Sequence, residues 1–223
     1  MSIDSSSEAR AVILARVRKA QGRGKSRPSR AETEAVETYL RAHPRGPLPP
    51  VEKNRVACFR AKAESMQSTT DAVAQEREVP AAVARYLKAN NLPLTGCVWP
   101  ALARLDWKDA GLELAPRAAN GDDAIGVTGA FAAIAETGTL MLASGPDTPA
   151  NVSLLPETHV AIVRADRIVA YMEEAWELAR AEFGQLPRAV NFVSGPSRTG
   201  DIEQQIVMGA HGPYRVHIVV VNG

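Results

Sequence analysis

Residues 159–194 read HVAIVRADRIVAYMEEAWELARAEFGQLPRAVNFVS, and their apolar side chains follow two different periods. The run HVAIVR, His159–Arg164, is short and apolar, which predicts a buried strand. Over Ile168–Phe183 the apolar residues recur every three or four positions, which predicts a helix with one buried face. Gly184 is expected to end that helix, and Ala189–Ser194 predicts a second strand. A strand, a helix and a strand in succession are typical of an α/β domain.

The same alternation continues on both sides of this segment. Val79–Lys88 predicts a helix with a proline at an early position, and Asn54–Met66 is compatible with a helix or a strand. Short apolar runs predict further strands at Gly96–Pro100, Leu112–Leu114, Ala124–Thr128, Thr139–Ser144 and Tyr214–Val221. Together these elements predict an α/β fold with a mostly parallel sheet.

The first 50 residues differ in character from the rest. Residues 1–8 are expected to be disordered, and a helix is predicted from Ala9 onward. The segment HPRGPLPP, His43–Pro50, contains four prolines, which cannot lie inside a helix or a central strand. We therefore predict an N-terminal helical arm with a proline-rich linker over residues 1–50 and an α/β domain over residues 51–223.

Eight basic residues and no acidic ones lie between Arg10 and Arg30. One interpretation is a solvated basic helix and linker. The other is a docking arm for an acidic partner, because a cationic patch raises the encounter rate with negative surfaces. Nucleic-acid binding is not favoured, since no aromatic side chains interleave these charges. Ser29 and Glu32 have the spacing of a capping box, which predicts the start of a second helix.

The composition is that of an ordinary globular protein, with 223 residues, 45% hydrophobic and 23% charged, and a formal net charge of +1. No apolar run is long enough to span a bilayer, and the N-terminus lacks the basic-then-apolar order of a secretory signal, so a cytoplasmic location is expected. Cys58 and Cys97 cannot supply four thiolates, and the histidines lack a metal-binding spacing. We therefore expect no metal site.

The segment VSGPSRTGDIEQQ, Val193–Gln205, has the composition of a turn that can bind an anion. A strand is expected to end near Ser194, and a short helix is expected to begin at Thr199–Asp201. The N-terminus of a helix carries unpaired N–H groups and a partial positive charge. Hydroxyls and a guanidinium lie beside it, on Ser197, Thr199 and Arg198. Alternatively, Asp201 and Glu203 satisfy the helix N-terminus themselves, and the segment is only a turn.

Two other polar turns are candidates for chemistry. Glu136 precedes Thr137-Gly138-Thr139 just before an apolar strand, where a carboxylate can act as a nucleophile, a base or a substrate clamp. It can equally cap the turn by accepting backbone N–H groups. His211 lies in a Gly-Pro turn ahead of the last strand, and imidazole titrates close to neutrality. His217 lies within that strand and is expected to be packed.

Five segments resemble the LUD domain family, also called the lactate-utilisation protein C family: AETGTLML, SLLPETHVAIV, RIVAYMEEAW, NFVSGPSRTGDIE and GAHGPYRVHIVVVN. The N-terminal ILARVRKAQGRG resembles the leader helix of that family. The resemblance implies a fold like that of the NagB/RpiA/CoA-transferase superfamily, a three-layer α/β/α sandwich. It also implies a role in bacterial L-lactate oxidation to pyruvate beside two iron–sulfur partner proteins. A family name does not by itself name a reaction.

The residues that match the motifs of the family lie in the three polar turns: Glu136, Thr137, Gly138 and Thr139; Ser194, Gly195, Pro196, Ser197, Arg198, Thr199, Asp201 and Glu203; and His211, Gly212 and Pro213. The leading hypothesis is a non-catalytic or co-catalytic subunit of a lactate-oxidising complex that uses these turns to hold a small carboxylate or to organise the iron–sulfur partners. In it, Arg198 clamps the carboxylate, His211 hydrogen-bonds to it or accepts a proton, and Glu136 orients one of them. Glu136 and His211 are thus the expected catalytic residues. The expected ligand contacts come from Thr137, Gly138, Thr139, Ser194, Gly195, Ser197, Arg198 and Thr199. No cofactor is expected in this chain, because the iron–sulfur clusters are expected in the partner proteins.

A stand-alone enzyme is the alternative. CoA transferases of the same superfamily use a glutamate nucleophile, and the segment that begins at Glu136 resembles its placement. A carboxylate can attack an acyl thioester and form a covalent acyl-enzyme. A lactate- or redox-sensing module is a third interpretation, which no specific residue supports.

Overall fold

The computed structural model describes residues 3–23, 27–202 and 205–223, and the chain divides into two compact units, Met1–Pro47 and Leu48–Gly223. The first unit contains helices α1 (Ile3–Ala20) and α2 (Arg30–Ala42). Because α1 begins at Ile3, the disorder predicted for the first eight residues is wrong from that position onward. The polar residues before Ala9 include no glycine or proline, so nothing in them interrupts the helix.

The capping box that begins α2 is confirmed. The side-chain oxygen of Ser29 accepts a hydrogen bond from the amide of Glu32 at 3.2 Å. In return, the Glu32 carboxylate accepts one from the amide of Ser29 at 2.8 Å. Two N–H groups that would otherwise lack partners at the helix start are thereby satisfied.

Among the described residues, the second unit forms helices α3 (Arg55–Ser65), α4 (Val79–Ala89) and α5 (Met172–Phe183). Its strands are β1 (Thr69–Val73), β2 (Thr95–Val98), β3 (Glu113–Pro116), β4 (Ile125–Gly129), β5 (Ala132–Ile134), β6 (Thr139–Ala143), β7 (Thr158–Arg164), β8 (Ile168–Val169), β9 (Val190–Val193), β10 (Arg198–Ile202), β11 (Gln205–Met208) and β12 (Arg215–Val221). None of the described helices combines the length and the apolar character needed to cross a bilayer.

The main sheet has the order β1-β12-β7-β4-β2-β3, and every neighbouring pair in it is parallel. The predicted α/β class with a mostly parallel sheet is therefore confirmed. Residues 158–163 of β7 are all buried. Burial on both faces explains why this central strand reads as a continuous apolar run rather than as an alternating one.

A second sheet has the order β8-β5-β6-β9 and packs against the main core on one face and α5 on the other. Successive residues of a strand point to opposite faces. Accordingly, Ala133 and Leu140 join the main core, while Ile134 and Met141 pack beneath α5. The turn that connects β5 to β6 is thus held between two buried layers.

Two local predictions are wrong because pairing between distant segments overrides local periodicity. Ile168 begins a short strand that pairs with β5, so α5 begins only at Met172. The strand predicted at Ala189–Ser194 is present as β9, which pairs antiparallel with β6 and lies outside the parallel sheet. The helix predicted to begin at Thr199–Asp201 is absent from the described residues there, which form the antiparallel β10–β11 hairpin, with Thr199 opposite Val207. The β-branched side chains of this segment favour strands.

Two histidines lie buried in the main sheet, which confirms the expectation that His217 is packed. His159 Nε2 lies 2.8 Å from the hydroxyl of Thr128, and His217 Nδ1 lies 2.8 Å from that of Thr69. The His217 ring also stacks on Tyr86 at a centroid distance of 3.8 Å. Burial lowers the pKa of His159 to about 4 and that of His217 to about 4. Both imidazoles are therefore neutral in the folded protein near pH 7.

We predict that these histidines make the protein less stable in mild acid. Their pKa values of about 4 lie below the ordinary 6.5, so the unfolded chain binds more protons between these pH values. The free energy of unfolding therefore falls as the pH drops from 6.5 towards 4, by on the order of 3 kcal/mol for each histidine. Urea unfolding of His159→Gln at pH 7 and pH 5 should show a smaller loss than the unaltered protein. His211→Gln, at an exposed position, is the matched control, and equal losses in all three proteins would contradict the prediction.

Candidate functional site

The turn at Ser194–Thr199 and the turn that contains His211 are hydrogen-bonded to each other through Ser197. Its amide donates to the carbonyl of Pro213 at 2.9 Å, and its own carbonyl accepts from the amide of Gly209 at 2.9 Å. Its hydroxyl oxygen accepts from the amide of His211 at 3.4 Å. We name residues 136–139, 194–199 and 209–213 the loop cluster.

The turn that contains Glu136 joins the loop cluster at the C-terminal end of α3. A Cβ atom added at Gly138 would lie 2.3 Å from the amide nitrogen of Ala63, and one at Gly195 would lie 2.1 Å from the carbonyl oxygen of Met66. Both glycines also have positive φ, +67° and +78°. Only glycine tolerates this approach and this conformation together. The two predicted turns are therefore anchored on the same end of one helix.

The polar side chains of the loop cluster are placed as follows. Glu136 is half-buried, its amide donates to the carbonyl of Ala170 at 3.1 Å, and no described residue hydrogen-bonds to its carboxylate. The hydroxyl of Thr137 donates to that of Thr139 at 2.8 Å. Glu136 thus does not cap its turn by accepting backbone N–H groups from the described residues.

Arg198 and His211 are exposed, and no described residue forms an ion pair with the Arg198 guanidinium. Arg198 begins a strand, so the expected help from a helix N-terminus in binding an anion is absent at this position. The side chain of Asp201 and the whole of Glu203 lie outside the described residues. Gly209–Pro213 leads into β12, which places this part of the loop cluster at the amino-terminal edge of the main sheet.

A cavity of about 470 Å³ opens at the opposite, carboxyl-terminal edge of the main sheet. Trp99 follows β2, Gly129 ends β4 and Arg164 ends β7, and all three line it. The lining also includes Leu102, Arg104, Ala130, Phe131, Ala143, Ser144, Gly145, Thr148, Arg167 and Phe183. We name it the carboxyl-edge cavity. Ligands of open parallel sheets bind at this edge.

Three arginines and no aspartate or glutamate line the carboxyl-edge cavity. Each arginine is held by a carboxylate outside the lining, in the pairs Arg104–Glu76 at 2.5 Å, Arg164–Asp166 at 2.6 Å and Arg167–Glu182 at 2.5 Å. Hydrogen bonds from the arginines lower the pKa of Asp166 and of Glu182, so these pairs stay charged near neutral pH. Arg164 and Arg167 each give two of their five N–H donors to the paired carboxylate, and Arg104 gives one to Glu76 and one to the carbonyl of Ala101, so three donors remain on each guanidinium.

Aromatic side chains form the apolar wall of the carboxyl-edge cavity. The guanidinium carbon of Arg167 lies 5.3 Å from the centre of the Phe131 ring, which packs against Phe183 at 4.7 Å between ring centroids. The indole N–H of Trp99 donates to the carbonyl of Pro149 at 3.0 Å, which fixes the orientation of its ring. The cavity therefore places cations beside apolar surface, as small-molecule sites commonly do.

The sequence contained a signal for this cavity. Trp99, Gly129 and Arg164 each lie at the end of a predicted strand, and the carboxyl ends of parallel strands share one edge. The polar turn that follows the predicted strand at Ser194 does not share this edge, because that strand belongs to the second sheet. No group of three or more His, Cys, Asp or Glu side chains within the described residues is arranged to hold a metal ion.

Comparison with known proteins gives the family. The model of the LUD domain matches residues 51–221. The chain belongs to the LUD domain family. The predicted resemblance is thereby confirmed over residues 51–221, which include both the loop cluster and the carboxyl-edge cavity. The resemblance of the N-terminal segment to the leader helix of the family stays a prediction.

Two relatives of this LUD protein are each named lactate utilization protein C. The protein of Exiguobacterium sp. strain AT1b is 37% identical over 147 residues, which are 62% of each chain. That of Bacillus subtilis strain 168 is 34% identical over 130 residues, which are 56% of this chain and 53% of the relative. The chain thus matches less than two thirds of the length of these relatives.

A solved structure supports the fold of this LUD protein. The crystal structure of a DUF162 family protein from Deinococcus radiodurans superposes with a TM-score of 0.58 at 23% identity. The match covers 78% of this chain and 99% of the other.

Proposed function

We propose that this LUD protein takes part in lactate utilisation by binding a small carboxylate, lactate or a close analogue, in the carboxyl-edge cavity. The names of its relatives support the pathway, because both refer to lactate utilisation. The charge of the cavity supports the ligand class, because its lining contains cations without acids.

One observation carries the proposal: Arg164 and Arg167 line the same apolar cavity at the carboxyl ends of parallel strands. A guanidinium presents parallel N–H donors that match the two oxygens of a carboxylate. Exposed ion pairs contribute little to stability, so an arginine can share its donors with a ligand at small cost.

Arg198, which the sequence predicted to bind the carboxylate, lies in surroundings that suit a carboxylate site less well than the carboxyl-edge cavity does. It is a single exposed cation at the start of a hairpin strand, whereas small-molecule sites are concave and largely apolar. The roles of Arg198, His211 and Glu136 stay predictions. The lactate-binding experiment described below distinguishes a site at the loop cluster from a site in the cavity.

We further propose that the chain works with iron–sulfur partner proteins and docks through α1. This helix carries Arg10, Arg16, Arg18 and Lys19. It also exposes Val12, Ile13 and Val17, with between 46% and 60% of each side chain accessible. Apolar side chains framed by cations suit a partner surface that has an apolar patch with an acidic rim. The electron carriers of the system would then belong to those partners.

One observation favours acyl transfer by Glu136 as a second function. The carboxylate is half-buried and receives no hydrogen bond from a described residue, in a turn fixed by the close approach of Gly138 to α3. A held but unpartnered carboxylate is available as a nucleophile towards a thioester.

We predict that Arg164→Gln and Arg167→Gln each weaken L-lactate binding roughly ten-fold or more, because each removes a charge-assisted hydrogen bond. Isothermal titration calorimetry on the full chain measures the dissociation constants. Arg198→Gln is the matched control and should leave the affinity unchanged.

The control also tests the loop cluster. Loss of lactate binding in Arg198→Gln, with Arg164→Gln unaffected, would move the carboxylate site to the loop cluster. No lactate binding by the unaltered protein at millimolar concentration would refute the proposal. Circular dichroism spectra of all variants verify that they fold.

We predict that reversing the charges of α1, by Arg16→Glu, Arg18→Glu and Lys19→Glu together, lowers recovery of the iron–sulfur partners in a pull-down several-fold. The reason is that a negatively charged α1 would repel the acidic rim of the partner's docking surface. The matched control reverses three exposed cations of the second unit, Lys53, Arg77 and Lys88. Equal recovery with both variants would rule out α1 as the docking element.

We predict that, if Glu136 is a nucleophile, incubation with acetyl-CoA converts it to a glutamyl-CoA thioester. The carboxylate attacks the acetyl carbonyl and releases CoA thiolate, which then attacks the glutamyl carbonyl of the mixed anhydride and releases acetate. Mass spectrometry of proteolytic peptides locates the adduct, and Glu136→Gln is the control that cannot form it. An unmodified chain after prolonged incubation would exclude this second function.

A further inference from the structure

The carboxyl-edge cavity is larger than a lactate-sized acid requires. Its volume of about 470 Å³ lies within the range of roughly 300–1,000 Å³ that holds drug-sized ligands. Lactate is far smaller than such ligands, so a carboxylate held by Arg164 and Arg167 leaves most of the cavity for another group. The chemistry of that second group can be inferred from the lining side chains that a bound lactate would not contact.

Aromatic rings are the first of these features. Phe183 keeps 37% of its surface exposed although it is large and apolar, and it lies in the cavity wall beside Phe131. The two rings are tilted by 37° at a centroid distance of 4.7 Å. Flat aromatic groups stack favourably on such rings. An aliphatic acid would leave this surface unused.

A third cation is the second feature. Arg104 comes from the segment after β2, whereas Arg164 and Arg167 come from the end of β7 and the turn after it. The cations therefore come from two separate segments of the chain, which suits a ligand with a second anionic group. Arginine binds phosphate through paired N–H donors as well as it binds carboxylate.

We propose that the cavity binds, beside the small acid, an aromatic phosphate: a planar ring joined to a phosphate group. The inference rests on the proposed function in placing the acid at Arg164 and Arg167. The ring stacks on the exposed surface of Phe183, and the phosphate pairs with Arg104. The sequence has no glycine-rich phosphate loop ahead of a helix. Recognition of the phosphate therefore belongs to side chains and not to a helix N-terminus.

The test uses AMP and flavin mononucleotide as probes, with inorganic phosphate and adenosine as the two separate halves. Calorimetry on the full chain should show at least one aromatic phosphate binding ten-fold or more tightly than phosphate or adenosine. Arg104→Gln should weaken that probe about ten-fold and leave lactate binding within two-fold. The Arg104 side chain is 59% exposed in its ion pair, so this variant is expected to fold. Phe183→Leu should weaken the same probe without affecting inorganic phosphate.

The outcomes separate this inference from the proposed function. If lactate binds and neither aromatic phosphate exceeds inorganic phosphate, the inference is overturned and the proposed function stands. If an aromatic phosphate binds through Arg104 while lactate does not bind, the proposed function fails and the ligand class inferred here stands. If binding of the aromatic phosphate is lost in Arg198→Gln but kept in Arg104→Gln, the inference is also overturned, because the ligand then lies at the loop cluster.

Discussion

The parallel pairing of β7 with β4 on one side and β12 on the other is the constraint on which the rest of the structure depends. Thr158 stands opposite both Ile125 and Arg215, so the three strands run in one direction from nearly the same level. Neighbouring parallel strands run in the same direction, so their carboxyl ends lie at the same edge of the sheet. For this reason Gly129 and Arg164 emerge together, and the chain segments that follow them separate around a cavity. The site is therefore a consequence of strand direction and not of a local motif.

The sequence predicted those elements whose identity depends on their own residues. The apolar run of β7 and the periodic helix at Val79–Lys88 are both present, as is the capping box at Ser29. It misassigned elements whose identity depends on distant partners. Ile168 completes a helical stripe in sequence, but pairing with β5 makes it a strand. The apolar residues after Thr199 have a spacing that suits a helix. Pairing with the β-branched Val207 across the hairpin nevertheless places Thr199 in a strand as well.

The candidate site shows the same division. The contact of the turn at Ser197 with the turn at His211 is observed, as the sequence led us to expect, although a common cleft for their side chains stays a prediction. Trp99 and Gly129 could have been chosen from the ends of predicted strands alone. Phe183 could not, because it reaches the cavity only through the packing of α5 on the second sheet, whose strand order has no local signal.

The ion pairs around the cavity determine what kind of ligand it can hold. Asp166 holds Arg164 from two residues away, and Glu182 holds Arg167 from α5, so the guanidinium groups are oriented before a ligand arrives. Orientation in advance reduces the entropy lost on binding. The same carboxylates also offset the positive charge, which weakens the attraction of the cavity for a single negative group. Because each of the three arginines is offset in this way, a ligand gains most from several contacts at once: hydrogen bonds to more than one guanidinium and a flat apolar surface against the aromatic rings. The paired arginines and the aromatic wall thus favour a ligand that combines anionic and aromatic groups.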